Sequence, residues 1–376
     1  MASTKAQSTK AAGKRAANGT QPEPEAAIPM GKLLASTEKK TRDSAIKSLS
    51  LFLAKSGEEP IPPLEMAKLW KGIFYCFWMS DKPLVQQALA QELSDLLLSI
   101  PGSSKVPAAV EGVHSEDAEG MSARAKGGLA LLEGFWTAMG REWSGLDKWR
   151  IDKFYLLLRR FVNAAFRLLA SEDWNEAAVA RFAALTVKTG GPLCANDVQV
   201  PAGLTYHMTD VYLDELEKAL VWAESQADSS STSSEAARAP ILNLLKPMLD
   251  TASTCHSSTV FDKVQSNVLE PLWEDCLAAD AQSAERAAKR RRKNGRMVQP
   301  TEAEAEQDEG DVVYPAILRS SGMTPLKLRQ SIFKDLFESA SREEAVPSRR
   351  RKIYALWQQE KERRENAGED DEEEED

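Results

Sequence analysis

The chain has 376 residues, 42% of them hydrophobic, and a formal net charge of −9. That is too much chain for one small core, and it suits two domains or one elongated helical array. The charge is uneven. Eight acids fill 369–376 and six lie in 301–311, and without them the remainder carries +5. The bulk of the chain is mildly basic, so the acidic total does not exclude polyanionic partners. Four cysteines without CxxC spacing suggest neither a disulfide framework nor a zinc knuckle, and point to a reducing compartment. The longest apolar runs fall far short of the ~20 residues of a membrane span, and a soluble protein with no membrane partner is expected.

In chain order, residues 1–27 are rich in Ser, Ala and Lys. Without Leu or Phe they cannot form the amphipathic helix of a mitochondrial presequence, and they read as a disordered basic arm. Pro29 opens a short helix. The helix predicted at 38–54 buries Ala45, Ile46, Leu49, Phe52 and Leu53 and turns Lys39, Lys40, Arg42 and Lys47 outward. Cations at its start oppose the helix dipole, which hints at a phosphate or acidic partner. Pro62-Pro63 forbids continuation. From Leu64 to Ile100 the pattern predicts an αα-hairpin. Met66, Trp70, Ile73, Phe74 and Phe77 form one face, and Val85, Leu89, Leu93, Leu96 and Ile100 the next. Ser80 or Asp81 is the expected cap, Pro83 fits the first turn, and Lys68, Lys71 and Lys82 face outward.

Residues 101–122 read as a long exposed loop. Helices are predicted at 123–139, 146–169, 173–187 and 209–223. In the second, Ile151, Phe154, Leu158, Phe161, Ala165 and Leu168 share a face, with Arg150, Lys153, Arg159, Arg160 and Arg167 around the remainder. The third stops at Gly190-Gly191-Pro192. Residues 225–237 form a flexible linker, and helices at 241–249 and 260–277 complete the ordered portion. The fold class is therefore all-α, an irregular HEAT-like α-solenoid of helical hairpins. A helical array over 28–224 continues over 238–280, and 281–376 is a mostly disordered tail. Such a stack exposes long faces suited to binding.

No chemistry assembles from the sequence. His114, His207 and His256 lie apart, and adjacent Cys255-His256 reads as a helix-end pair rather than a metal site. Nucleophile and phosphate-loop signatures are missing. Asp147 and Asp152 are carboxylates without a constellation, so no cofactor and no small-molecule substrate are expected. Candidate RNA or partner contacts are Lys39, Lys40, Arg42, Lys47, Lys71, Lys82, Arg150, Lys153, Arg159 and Arg160. Trp136, Trp143 and Trp149 fall near helix ends, where one of them can anchor a partner. Lys289, Arg290, Arg291, Arg292 and Lys293 form a basic run suited to a nuclear localisation signal read by an import receptor, or to an RNA-binding tail. Segments 326–337 and 353–357 read as short motifs that fold on a partner.

Three blocks in register carry a family resemblance: EKKTRD at Glu38–Asp43, LWKGIFYCFWMSDKP at Leu69–Pro83 and REWSGLDKWRIDKFYLLLRRF at Arg141–Phe161. The first half of the chain resembles the ribosomal RNA-processing protein 1 family, nucleolar factors of large-subunit assembly; nothing comparable is seen after about Asp280. The resemblance implies a non-catalytic nuclear and nucleolar assembly factor of pre-60S particles. Its partners would be other assembly factors, precursor ribosomal RNA and ribosomal proteins. Two other classes fit the bare sequence: a nuclear scaffold of transport or transcription machinery, and a ribonuclease using unmatched carboxylates.

Overall fold

The computed structural model describes residues 30–55, 61–100, 120–226, 238–292 and 312–368, and among them regular structure is entirely helical. Helices α1 (Met30–Leu34), α2 (Lys39–Lys55), α3 (Pro63–Trp78) and α4 (Pro83–Ser94) open the chain. They are followed by α5 (Ala123–Glu142), α6 (Ile151–Ser171), α7 (Glu176–Val187) and α8 (Ala202–Gln226). Then come α9 (Ile241–Thr254), α10 (Ser258–Val264), a π-turn at Gln265–Leu269, and α11 (Glu270–Arg292). The chain ends in α12 (Pro315–Ser320), α13 (Pro325–Ser341) and α14 (Pro347–Ala367). None of the described helices is long and apolar enough to cross a membrane. The expected arm, most of the expected loop and linker, and the acidic runs lie outside the described residues.

The aromatic helix α3 forms the first core. Trp70 meets Phe135 of α5 and Phe161 of α6 at centroid distances of 5.4 and 5.6 Å, and Phe135 stacks on Phe161 at 3.9 Å. Phe154 lies 4.9 Å from Phe74 and 5.2 Å from Phe77. Each ring sits at the three-to-four spacing that keeps one face of α3 turned inward. The α1–α3 crossing is close because both helices carry glycine there: a Cβ at Gly72 would lie 2.7 Å from the Gly31 carbonyl oxygen. Beyond α6 the stack continues through α8, where Tyr212 packs at 5.1 Å against Phe166 and donates to the Leu244 carbonyl of α9 at 2.6 Å.

Several details depart from the sequence reading. The cap of α4 is Lys82, with Pro83 next, while the Ser80 hydroxyl turns back to the Phe77 carbonyl at 2.7 Å. Phe52, expected inside, is half exposed beside exposed Leu51. The helix expected from residue 146 begins at Ile151, after a 3-10 turn and an Asp-initiated turn.

The largest correction concerns the tail. Residues 312–368 are folded, and α12, α13 and α14 pack on α8, α9 and α11. Trp273 of α11 stacks on Phe333 of α13 at 4.1 Å. Arg329 of α13 grips Glu360 of α14 through two bonds of 2.9 and 2.5 Å and donates to the Trp273 carbonyl at 2.7 Å. Arg349 of α14 donates to the carbonyls of Cys255 and His256 at 3.1 and 2.8 Å. All three charged residues are buried. Apolar side chains of α12 and α13 make part of the docking, and buried charged side chains, which a hydropathy pattern assigns to solvent, make the rest.

Candidate partner and nucleic-acid interface

The expected contact residues divide by what the helix stack does with them. Arg42 is buried against the α1–α2 turn and donates to the carbonyls of Ser36 and Thr37 at 2.9 and 3.0 Å. Lys153, 7% exposed, donates to the carbonyls of Trp78 and Ser80 at 2.7 and 2.6 Å, tying α6 to the C-terminal end of α3. Burial lowers its pKa to about 8. Arg159 pairs across to α8 with Asp214 at 2.8 Å and with Glu215. Arg150 pairs with Asp147 and lays its guanidinium 3.9 Å from the Trp78 ring centroid. These four revise the expectation. Lys153 and Arg159 lie outside the first apolar stripe of α6 and meet neighbouring elements of the stack, while Arg42 and Arg150 are held by the turns that precede their helices. Arg160 is half-buried.

The remaining candidates face solvent. Lys40 and Lys47 are two turns apart on α2, Lys71 lies on the outer side of α3 and Lys82 caps α4. Lys39 is exposed and pairs with Asp43, an exposed contact worth little. Lys289–Arg292 prolong the backbone of α11, and Lys293 lies outside the described residues.

Of the three tryptophans at helix ends, Trp136 and Trp143 are buried and Trp149 is 81% exposed. The main-chain N–H groups of Trp149 and Arg150 both donate to Asp147 Oδ1 at 3.0 Å, so the turn is fixed while the indole remains in water. Desolvation opposes ionisation of Asp147, but the Arg150 bond and the two N–H donors hold its carboxyl below its ordinary value. Lys148 Nζ lies 4.8 Å from the Trp149 ring. Leu84, four residues past the Ser80 that Lys153 holds, is also largely exposed. Leu84 carried no sequence signal, since it sits at a helix start where periodicity is weakest.

Reactive groups are muted. Burial pushes the Cys76 and Cys276 thiols up to about 11 and about 12. His207 shares a 2.9 Å hydrogen bond with the Tyr155 carbonyl, and burial lowers its pKa. Among the described residues no group of three or more His, Cys, Asp or Glu side chains is placed to hold a metal ion.

Fold and surface together define an all-α, solenoid-like helical stack with cations and single apolar side chains displayed on its outside. The match to a family model described as nucleolar protein Nop52 covers residues 25–376, and the chain belongs to that family. The match runs beyond the three blocks and takes in the C-terminal helices. The chain is similar to ribosomal RNA processing protein 1 homolog B of Mus musculus, 29% identical over 255 residues, which is 67% of this chain and 30% of that protein. It is 33% identical over 196 residues to homolog B of Homo sapiens, covering 51% of this chain and 23% of the relative. A Drosophila melanogaster homolog is 33% identical over 172 residues, 45% of this chain and 21% of its own length. The matched region thus spans less than a third of each of these relatives.

Proposed function

We propose that this chain is a non-catalytic assembly factor of the large ribosomal subunit, working in the nucleolus during processing of precursor ribosomal RNA. The observation that carries the reading is the family match over residues 25–376, together with relatives named for ribosomal RNA processing. On this reading the helix stack is a rigid scaffold. Its outer faces dock other assembly factors and precursor RNA, and so hold immature RNA in a form that can be cut or folded.

Two surfaces serve partners. Trp149, preorganised by Asp147, is a hot-spot anchor of the kind that fills a partner's pocket. The lysines left in solvent at 39, 40, 47, 71 and 82 face acidic or phosphate groups. The basic run Lys289–Lys293 recruits an import receptor.

Affinity purification of tagged protein from nuclei, with and without ribonuclease, tests the reading. Precursor large-subunit RNA, with assembly factors that stay bound after ribonuclease, is the expected result. Recovery of neither overturns it and leaves a scaffold of some other nuclear machinery. In the same assay Trp149→Ala is expected to reduce recovery of assembly factors at least tenfold with an unchanged melting temperature; full recovery removes Trp149 from the docking surface.

A further inference from the structure

The C-terminal helices carry a basic excess. Residues 312–368 carry twelve Lys and Arg against seven Asp and Glu, whereas residues 120–226 carry twelve against thirteen. Three aromatic rings meet at the seam of the α13–α14 hairpin. Phe337 of α13 lies 4.9 Å from Tyr354 of α14 in a stacked geometry, with 25° between planes, and 5.2 Å from Trp357. Unlike the buried Trp273–Phe333 stack on the inner side of the hairpin, this cluster reaches solvent: Tyr354 is 37% exposed, and Phe337 and Trp357 are partly so.

Cations flank the rings at helical spacing. Lys334 precedes Phe337 by three residues on α13, Arg350 precedes Tyr354 by four, and Lys361 follows Trp357 by four, so each lies about one turn, ~5.4 Å along its helix, from a ring on the same face. Arg350 is held in place by bonds to the Ala340 and Arg342 carbonyls at 2.8 and 2.7 Å. The acids on this face are exposed: Glu338, one turn beyond Lys334, and Glu365, 3.9 Å from Lys361. Exposed pairs of that kind yield readily to a phosphate.

We propose that the α13–α14 seam is a platform for single-stranded RNA, on which unpaired bases stack against Tyr354 and Trp357 while the exposed Lys334 and Lys361 face the phosphates. Flat aromatic faces interleaved with cations are what a single strand uses, because only unpaired bases offer their π-faces. Trp149 has Lys148 beside its ring but stands as a single ring in a segment of nearly balanced charge. The inference rests on the reading that the protein works on precursor ribosomal RNA, and it assigns the RNA-facing surface to the C-terminal hairpin.

Fluorescence anisotropy of the full-length chain with a labelled 20-nucleotide oligouridylate, and with an RNA duplex of equal length, tests it. The single strand is expected to bind at least tenfold more tightly than the duplex. Lys334→Glu with Lys361→Glu is expected to weaken it more than tenfold and to flatten the salt dependence by about 0.7 in logarithmic slope for each phosphate no longer neutralised. Tyr354→Leu keeps an apolar contact with Phe337 and removes the flat face, and is expected to cost about tenfold. Lys32→Glu with Lys126→Glu, two exposed lysines of α1 and α5 outside the surfaces assigned to partners, is the matched control and should leave binding unchanged. Thermal melting checks each fold, and the exposed lysine pair keeps the test decisive if Tyr354→Leu unfolds. Failure of the wild-type chain to bind the single strand overturns the platform, as does equal weakening in the control. So does loss of assembly factors, without loss of RNA binding, in the Lys334/Lys361 variant. Each of these leaves the assembly reading standing if the unaltered chain still co-purifies with precursor particles.

Discussion

At Lys153 an ammonium group donates to two main-chain carbonyls in a place that water scarcely reaches, and burial lowers its pKa to about 8. In the unfolded chain the same group titrates near 10.4. Between about 8 and 10.4 the unfolded state therefore binds more protons than the folded one, and this group makes stability rise with pH across that window; below it the contribution is flat. The melting-temperature advantage of wild type over Lys153→Met is expected to grow from pH 8 to pH 10. A constant difference would mean that the ammonium is solvated. Trp70 shows the opposite case of legibility. Its place in a three-to-four stripe announced a core residue, and it packs against the stacked pair of Phe135 and Phe161. Trp70→Ala is expected to cost about 3–5 kcal/mol, read by denaturant titration. Lys153 was illegible because sequence spacing locates a helix face but not the second helix that covers it.

The same limit explains α14 at the scale of elements. Its described interior is Arg349, Ile353 and Glu360, so one apolar residue is buried in a helix of 21 residues. Read by hydropathy it is a charged tail; in three dimensions, bonds from Arg349 and the Arg329–Glu360 pair fasten it to α9–α11. Desolvation works against ionised Glu360, but Arg329 and Arg363 outweigh it and hold its pKa below the ordinary glutamate value. A depressed carboxyl pKa stabilises the fold at neutral pH, and that contribution is lost as pH falls below about 4.3 through the folded-state value. Undocking of α14, followed by amide exchange, is expected to precede global unfolding on acidification. At neutral pH, Glu360→Ala strands a buried guanidinium and is expected to cost about 3–5 kcal/mol. Replacing the pair together, Arg329→Met with Glu360→Leu, should recover most of that loss; no recovery would assign the docking to the aromatic stack instead.

For the whole molecule the question is whether residues beyond the expected linker form a second domain. The sequence placed a break at 225–237 because Ser-rich composition marks a connection, yet composition says nothing of what the flanking helices touch. Helix α8 before the break and α9 and α10 after it share one buried cluster that runs from Leu34 to Ile353. Tyr212 bonds the Leu244 carbonyl, Lys263 pairs with Asp210 at 2.8 Å, and the carboxylate of Glu217 on α8 accepts from the N–H groups of Ala316 and Ile317 at 2.7 and 2.9 Å. Interfaces between separable domains are smaller and more polar than a shared apolar core. The chain is therefore expected to unfold in one calorimetric transition. If a protease site is engineered into 227–237 and cut, the two pieces should still elute together on size exclusion and keep their helical signal. Pieces that part on cleavage, or two transitions in the intact chain, would make the C-terminal half an independent unit. In the single-core case, loss of the α9–α14 half should weaken the α3–α6 stack as well, because α6 would lose the backing of α8 where α8 loses its own partners.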